Sequence, residues 1–479
     1  MIDWNILVSQ IATVAFDIVY FGAIISTIVV IILDNRNPVK TMAWILILLF
    51  LPIVGLVFYF FFGRSQRRER IIGQKSYDRL LKKPMAEYMA QDCSDVPEEY
   101  ARLIQLFQHT NQAFPFEGNR IAVYTEGYTK LQSLLRELQK AKQHIHIEYY
   151  IFEDDAIGRL VRDVLIEKAS QGVEVRVIYD DVGCWHVPNR FFEEMRNAGI
   201  EVRSFLKVRF PLFTSRVNYR NHRKIVVIDG RIGFVGGMNL AERYMRGFSW
   251  GIWRDTHILI EGKAVHGLQT AFLLDWYFVD RTLITASRYF PKIESCGSSL
   301  VQVVTSGPIG PWKEIMQGLT MAINGAKKYF YMQTPYFLPT EQVLAAMQTA
   351  ALAGVDVRLM LPERADNRIT HLGSHSYLAD VMQAGVKVYF YKKGVLHSKL
   401  MVSDDMLSTV GSTNVDFRSF EHNFEVNAFM YDVETALEMK EIFLQDQRES
   451  TQIFLKNWVK RSWRRRAAES VVRLLAPLL

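Results

Sequence analysis

The chain has 479 residues, of which 49% are hydrophobic and 22% are charged. A mean hydropathy of +0.02 is high for a fully soluble enzyme, but the charged fraction is too high for a protein that crosses a membrane many times. This composition predicts a soluble body with a small membrane-embedded part, and it excludes a disordered chain, a collagen and a disulfide scaffold. The three cysteines have no CxxC spacing, so they indicate neither a zinc site nor a redox pair.

Two apolar segments near the N-terminus are long enough to cross a bilayer. Residues 11–33 contain one charged residue, Asp17, and residues 41–63 contain none. About 20 apolar residues span a hydrocarbon core of about 30 Å, because a helix rises about 1.5 Å per residue. The sequence therefore predicts a transmembrane hairpin over residues 1–63. Pro52 is tolerated in a membrane helix and can bend it.

The basic charge lies in two short segments. Residues 64–83 and residues 456–479 each carry a net charge of +6, and since the whole chain is +7, the remainder is −5. An acidic body does not favour nucleic acid as a partner, whereas basic tracts beside apolar sequence are typical of contacts with anionic lipid. The bias of basic residues after the second apolar segment predicts that the body lies in the cytoplasm. No Lys or Arg precedes Arg36, which disfavours a cleaved signal peptide.

The C-terminal basic segment, residues 456–479, combines Trp458 and Trp463 with several arginines and a leucine-rich end. It is too short and too charged to cross a bilayer. Its pattern predicts a helix that lies in the membrane interface, and the alternatives are a solvated tail or a helix docked on the body.

The body of the chain contains an internal repeat. Four pairs of segments align in the same order: AKQHIHIEYYIF (141–152) with AKKYFYMQTPYF (326–337), GVEVRVIYD (172–180) with GVDVRLMLP (354–362), AGIEV (198–202) with AGVKV (384–388), and HRKIVVIDGRIGFVGGMN (222–239) with HSKLMVSDDMLSTVGSTN (397–414). Four ordered matches indicate a duplicated domain.

Each half alternates β-branched and aromatic runs with helical periodicity, which predicts an α/β fold with a mixed sheet flanked by helices. We expect two such halves to pack together after the two transmembrane helices. The predicted boundaries are 1–63 for the hairpin, 64–115 for a basic linking segment, 116–285 and 286–455 for the two halves, and 456–479 for the C-terminal segment.

The repeated motif has the form H-x-K-x(4)-D-x(6)-G-[GS]-x-N. Its two copies contain His222, Lys224, Asp229 and Asn239, and His397, Lys399, Asp404, Ser412 and Asn414. Residues two apart on a strand share a face, so each histidine points to the same side as its lysine. An imidazole can attack phosphorus or carry a proton, and Lys, Asn and Ser side chains can bind phosphate oxygens. The two copies together predict one site that binds an anionic phosphate group and requires no metal and no cofactor.

The acidic residues of the motif have two open interpretations. Asp229 and Asp404 are candidate catalytic residues, but each could instead lie in a turn and stabilise the fold. Asp255 and Glu425 are further candidates, because either carboxylate could orient a histidine by accepting an imidazole N–H.

These motifs resemble those of the phospholipase D superfamily. The two N-terminal segments, the RNHRK context of the first motif, WRDTH and the C-terminal VVRLLAPLL resemble the bacterial cardiolipin synthase family in particular. The resemblance covers essentially the whole chain. It implies a covalent phosphatidyl-histidine intermediate, with one histidine as nucleophile and the other as acid and base. It also implies that one phosphatidylglycerol donates its phosphatidyl group to another, which gives cardiolipin and glycerol.

Residue types alone leave other functions open. A phosphatidyltransferase with a different acceptor alcohol and a hydrolytic phospholipase D at the membrane would use the same motifs. A nuclease of this superfamily would need a basic body, and a non-catalytic scaffold would not need both motifs. We expect phosphatidylglycerol and anionic membrane lipid as the partners.

Overall fold

The computed structural model of the protein describes residues 4–33, 38–59, 96–208 and 218–476. The N-terminal helices and the body that follows are two separate compact units. The predicted basic segment at residues 64–83 lies outside the described residues.

The α-helices in chain order are α1 (Trp4–Leu33), α2 (Pro38–Phe50), α3 (Pro52–Phe58), α4 (Ala101–Asn111), α5 (Gly127–Lys140), α6 (Ala156–Ser170), α7 (Asn189–Asn197), α8 (Arg243–Arg246), α9 (Val265–Asp280), α10 (Glu314–Gly325), α11 (Glu341–Leu352), α12 (Arg368–Gln383), α13 (Phe417–Glu421), α14 (Val433–Arg448), α15 (Leu455–Trp458) and α16 (Trp463–Leu475).

The strands are β1 (Pro115–Tyr124), β2 (His144–Tyr149), β3 (Glu174–Asp180), β4 (Glu201–Phe205), β5 (Lys224–Ile228), β6 (Ile232–Gly236), β7 (Ile252–Arg254), β8 (His257–Glu261), β9 (Ser299–Ser306), β10 (Tyr329–Gln333), β11 (Phe337–Leu338), β12 (Asp356–Pro362), β13 (Lys387–Tyr391), β14 (Gly394–Leu396), β15 (Leu400–Ser403), β16 (Leu407–Gly411), β17 (Val415–Asp416), β18 (Glu425–Tyr431) and β19 (Ser450–Ile453).

The N-terminal unit has one apolar helix that is long enough to cross a membrane. Gln10–Leu33 within α1 meets the length and composition, and its apolar side chains are largely exposed. The second predicted span is divided, because α2 ends at Phe50 and α3 begins at Pro52, where the proline ring removes a helical N–H. Of the two predicted spans, the described residues therefore contain one uninterrupted helix of spanning length.

In the body, fifteen of the described strands form one continuous mixed sheet. The first half contributes the order β1-β8-β6-β5-β2-β3-β4, and the second half contributes β9-β18-β16-β15-β10-β12-β13, with β19 at its outer edge. The two orders are the same when equivalent strands are matched, so the repeat in the sequence is a repeat in topology. The halves join where β1 pairs antiparallel with β9, with Phe116 opposite Val301. The predicted α/β fold with a duplicated domain is confirmed.

The helices cover both faces of this sheet, and three large apolar clusters fill the space between them. The central cluster draws on both halves: Trp276 of α9, Val301 of β9 and Met430 of β18 are all fully buried in it. Burial of a large apolar side chain contributes about 1.5–3 kcal/mol. The packing of the halves against each other is therefore part of the main core of the body.

The turn after β5 and the turn after β15 have the same construction. Asp229 and Asp404 both adopt φ of 52°, and each is followed by a second residue with positive φ, Gly230 and Asp405. Asp tolerates this left-handed backbone better than most residues with a side chain. Both oxygens of each carboxylate accept bonds from backbone N–H groups, of residues 142–144 in the first half and 327–329 in the second, at 2.7–2.9 Å.

The C-terminal helix α16 is docked on α12 of the body. Arg473 forms an ion pair with Asp380 at 2.9 Å, and the buried Glu469 accepts a bond from Arg461 at 2.5 Å. Of the two predicted interfacial tryptophans, Trp458 is buried and Trp463 is 74% exposed. The docked alternative is thus what the structure contains, and the membrane contact of its outer face stays a prediction.

Candidate active site

His222 lies just before β5 and is held by the other half of the body. Its backbone N–H donates to the carbonyl of Phe424 at 2.9 Å. Its imidazole Nδ1 lies 3.0 Å and 3.1 Å from the two carboxylate oxygens of Glu425, the first residue of β18. Glu425 is fully buried. Because an ionised carboxylate only accepts, Nδ1–H is the donor, and Nε2 keeps its lone pair.

His397 has the matching arrangement, again with the partner from the opposite half. Its backbone N–H donates to the carbonyl of Arg254 at 2.7 Å, beside the parallel pairing of β14 with β7. Its Nδ1 lies 2.6 Å from Oδ2 of the fully buried Asp255. The structure therefore places Glu425 with His222 and Asp255 with His397, a pairing that the sequence left open.

The two lysines lie beside their histidines, as the alternation of a strand requires. Lys224 Nζ donates to the carbonyl of His222 at 2.5 Å, and Lys399 Nζ does the same to His397. Lys399 Nζ also lies 2.9 Å from Nδ1 and 3.2 Å from Nε2 of His397, against the ring. Both lysines are buried.

Burial dominates the electrostatics of these groups. Burial lowers the pKa of His222 to about 4, against the opposing charge of Glu425. Burial also lowers the pKa of Lys224 to about 7 and of Lys399 to about 8. The pKa of Glu425 and that of Asp255 are lowered although burial opposes it, because the neighbouring histidines and lysines favour the ionised carboxylates. At neutral pH His222 is thus a neutral imidazole between an anion and cations, which is the state of a nucleophile or a base.

The residue after the repeated glycine differs between the halves. Ser412 is fully buried and its Oγ donates to Glu425 at 2.5 Å, so it supports this carboxylate. Gly237 occupies the same position in the first half, where a Cβ atom would lie 2.1 Å from Oδ1 of Asp255. Position 237 therefore requires glycine, because the carboxylate of Asp255 lies too close to the backbone there to leave space for a side chain.

The two asparagines of the motif line the pocket wall. Asn239 is almost fully buried, accepts from the N–H of Ile151 at 3.1 Å and donates to the hydroxyl of Tyr244 at 2.5 Å. Asn414 is also buried, and its side-chain oxygen has no hydrogen-bond partner among the described residues.

Both imidazoles open into one cavity of about 390 Å³. Its lining is rich in cationic and aromatic groups: Tyr150, Ile151, Arg220, His222, Asn239, Arg243, Tyr244, Phe248, Trp253, Tyr336, Asp366, His397, Asn414, Arg418 and Asn423. The cavity can hold a phosphodiester between two histidines, with arginines at its wall and lysines beneath them.

The sequence did not single out the arginines, the aromatic residues or Asp366 of this wall. Arg220 lies in the RNHRK stretch and Arg418 lies four residues after Asn414, so proximity to the motif was a signal for these two. The same signal applied to Arg243, which begins α8 four residues after Asn239. Asp366 lies on a loop away from either motif, and only the fold brings it to the cavity.

Asp229 and Asp404 do not lie in the cavity. A five-residue strand separates Asp229 from His222, and the carboxylates of both aspartates bind backbone amides at the far turn. These contacts favour the second interpretation, in which both aspartates stabilise the fold.

A family model described as cardiolipin synthase, PLD-like domain, matches residues 134–274 and 319–447. A second model, described as the N-terminal region of phospholipase D-nuclease proteins, matches residues 22–64. The chain is 42% identical to a cardiolipin synthase of Geobacillus kaustophilus, over 97% of this chain and 94% of that protein. It is 37% identical to the major cardiolipin synthase of Bacillus subtilis, over 98% of this chain and 100% of that protein.

Among solved structures, a phosphatidylserine synthase of Haemophilus influenzae has the same fold. The TM-score is 0.60 at 14% sequence identity, over 79% of this chain and 100% of that chain. The sequence matches extend over nearly the full length of the chain, and the family model covers both halves of the body. The chain therefore belongs to the cardiolipin synthase family of phospholipase D-like proteins.

Proposed function

We propose that the chain is a phosphatidyltransferase that makes cardiolipin and glycerol from two molecules of phosphatidylglycerol. The observation that carries this proposal is the pair of histidines in one cationic cavity, each hydrogen-bonded to a buried carboxylate of the opposite half. Similarity to cardiolipin synthases over almost the entire chain supports the same activity.

In the first step, one histidine attacks the phosphorus of phosphatidylglycerol. The bond from phosphorus to the glycerol oxygen breaks, and the other histidine donates a proton to that oxygen. We assign the attack to His222 Nε2, because Glu425 holds the proton on Nδ1 and burial lowers the pKa of the ring to about 4. Burial lowers the pKa of His397 as well, but two carboxylates, Asp255 and Asp366, favour its protonated form. His397, held by Asp255, then acts as the acid.

In the second step, the hydroxyl of another phosphatidylglycerol gives its proton to His397 and attacks the phosphorus. The bond from phosphorus to His222 breaks, and cardiolipin leaves. Lys224 and Lys399 balance the charge on the phosphoryl oxygens in both steps, and an incoming phosphodiester anion stabilises their charged form. We propose that no metal takes part, since two ammonium groups already supply positive charge at this point.

We propose that the apolar N-terminal helix tethers the enzyme to the membrane that contains its substrate. The apolar helix Gln10–Leu33 is consistent with association with a membrane. We propose that the second apolar segment also spans, with a bend at Pro52, and that the body is cytoplasmic. The domain boundaries at 63, 115, 285 and 455 belong to the same proposal.

A second candidate function is hydrolysis, because water could replace the acceptor hydroxyl in the second step. The test is purified enzyme in micelles with phosphatidylglycerol as the sole lipid and excess EDTA. Cardiolipin and glycerol in equal amounts are expected. Phosphatidic acid as the main product would make the enzyme a hydrolase, and loss of activity in EDTA would contradict the metal-free mechanism. The double variant His222→Ala, His397→Ala serves as the inactive control.

A further inference from the structure

The cavity has two sides, and each histidine belongs to one of them. The ring of Tyr150 lies 5.1 Å from that of His222. The rings of Trp253 and Tyr244 lie 5.1 Å and 6.1 Å from that of His397. The side of His397 also carries a carboxylate, Asp366, whose charge opposes the lowering of the His397 pKa that burial causes.

Asp366 does not fit a site that holds only phosphate. It is the one acidic residue among the described residues that line the cavity, and an anion beside phosphate is repulsive. Tyr336 donates its hydroxyl to Oδ1 of Asp366 at 2.6 Å, which fixes the carboxylate at the cavity wall. Oδ2 has no hydrogen-bond partner among the described residues and is available to accept from a ligand.

The chemistry of the reaction says which part of the substrate meets this carboxylate. In an in-line displacement the nucleophile and the leaving oxygen lie on opposite sides of phosphorus, so the leaving alcohol lies at the histidine that protonates it. The acceptor alcohol enters at the same place, because the second step is the reverse of the first in its geometry. A glycerol headgroup has free hydroxyls that can donate to a carboxylate, whereas the diacylglycerol part of a phospholipid has none.

Arg243 lies on the same side of the cavity, next to Tyr244. Its guanidinium is 3.5 Å from the carboxylate of Glu153, and its side chain is 39% exposed. An acceptor phosphatidylglycerol carries its own phosphate three carbon atoms from the reacting hydroxyl. A cation here can bind that second phosphate.

Resting on the proposed phosphatidyl transfer, we propose that Asp366, held by Tyr336, and Arg243 form a subsite for the alcohol substrate. Asp366 accepts hydrogen bonds from the hydroxyls of a polyol headgroup, and Arg243 binds the phosphate of a lipid acceptor. The subsite also explains how the two histidines divide their roles. The carboxylate of Asp366 lies on the side where the alcohol binds, so His397 is the acid and base and His222 is the nucleophile. An alcohol with an ammonium group gains from Asp366 but is repelled by Arg243.

Two assays with the full-length enzyme in phosphatidylglycerol micelles separate these roles. The first measures cardiolipin formation, in which the acceptor carries a phosphate. The second measures exchange of labelled free glycerol into phosphatidylglycerol, in which the acceptor has hydroxyls and no phosphate. Asp366→Ala is expected to lower both rates roughly tenfold or more, whereas Arg243→Gln is expected to lower cardiolipin formation roughly tenfold more than it lowers exchange.

A third measurement distinguishes loss of the subsite from misfolding and from a general loss of activity. Formation of the covalent adduct from a donor with an activated leaving group that lacks hydroxyls is expected to be unchanged in Asp366→Ala, which also reports that the variant is folded. Glu363→Gln is the matched control, because Glu363 is exposed on the same loop and does not line the cavity.

The outcomes distinguish this subsite from the proposed function. Wild-type enzyme that forms only phosphatidic acid would overturn the proposed function. Asp366→Ala with wild-type rates in both assays, or with adduct formation lost as much as transfer, would overturn the subsite. Incorporation of labelled ethanolamine by wild-type enzyme in preference to labelled glycerol would overturn the assignment to polyols.

Discussion

Nδ1 of His222 lies 3.0 Å from Oε1 of Glu425, although the two residues are 203 positions apart and belong to opposite halves of the duplicated body. His397 and Asp255 form the same kind of contact between the halves, 142 positions apart. Each half therefore lacks the carboxylate that orients its own histidine. A single half of this chain does not contain both members of either histidine–carboxylate pair.

Because each histidine is paired with a carboxylate of the opposite half, we can predict which substitutions share a phenotype. Glu425→Gln is expected to resemble a defect in the nucleophile, and Asp255→Asn a defect in the acid, because the neutral amide no longer fixes the tautomer of its histidine. We expect kcat to fall by roughly 100- to 10,000-fold in each case. The measurement is trapping of labelled donor on each variant. Glu441→Gln, at an exposed glutamate, is the control. If Asp255→Asn rather than Glu425→Gln prevented adduct formation from an activated donor, the pairing of roles would be reversed.

The histidines themselves are expected to fail in different ways. His222→Ala removes the attacking nitrogen, so no adduct forms from any donor. His397→Ala removes the proton donor, so an adduct still forms slowly from a donor whose leaving group needs no proton. Mass spectrometry of the trapped protein distinguishes the two. An adduct on His222→Ala, with none on His397→Ala, would contradict the assignment.

The pKa shifts predict a bell-shaped dependence of kcat/KM on pH. As pH rises through about 7 to 8, Lys224 and Lys399 lose their protons in the free enzyme, and the positive charge that the phosphoryl group needs is lost. As pH falls towards about 4, His222 takes up a proton and loses its lone pair. The profile in micelles of fixed composition checks this, because kcat/KM reports the groups of the free enzyme. A flat profile up to pH 10 would contradict the lowered lysine pKa values.

Asp229 and Asp404 are expected to affect stability rather than chemistry. Asp229→Ala leaves three backbone N–H groups without their acceptor and places alanine at a φ of 52°. We expect a loss of about 1–3 kcal/mol in the free energy of unfolding, with kcat of the folded fraction within about threefold of wild type. Thermal unfolding and turnover per active site measure the two effects. Asp229→Asn is the control, because Asn tolerates this backbone and retains one accepting oxygen. A large loss of kcat at unchanged stability would restore a catalytic role.

The docked helix α16 is expected to touch the membrane with its outer face. Trp463, Val471 and Leu474 are 74%, 60% and 80% exposed, next to arginines on the same helix. Trp463→Ser with Leu474→Ser is expected to weaken binding of the body to anionic vesicles severalfold, because apolar burial and headgroup attraction act together there. The comparison uses enzyme without the N-terminal helices, with vesicles of phosphatidylglycerol and of phosphatidylcholine. Unchanged binding to both would mean that the helix serves only the fold.

The sequence by itself determined the α/β class, the duplication and the histidine and lysine positions. Periodicity fixes strand and helix, and alternation along a strand places His222 and Lys224 on one face whatever the rest of the fold does. The four aligned segments also imply equivalent strands in equivalent places, as the matching strand orders show.

Only the tertiary structure decided which acidic residue contacts which histidine, which residues line the cavity and which aspartates lie outside it. Glu425 reaches His222 because the sheet runs on from β1 to β9 and brings the start of β18 beside the segment before β5. Asp366 reaches the side of His397 from a loop with no motif of its own. Local pattern carries no information on such contacts, because they depend on how two halves pack over a shared core rather than on the neighbours of each residue in the chain.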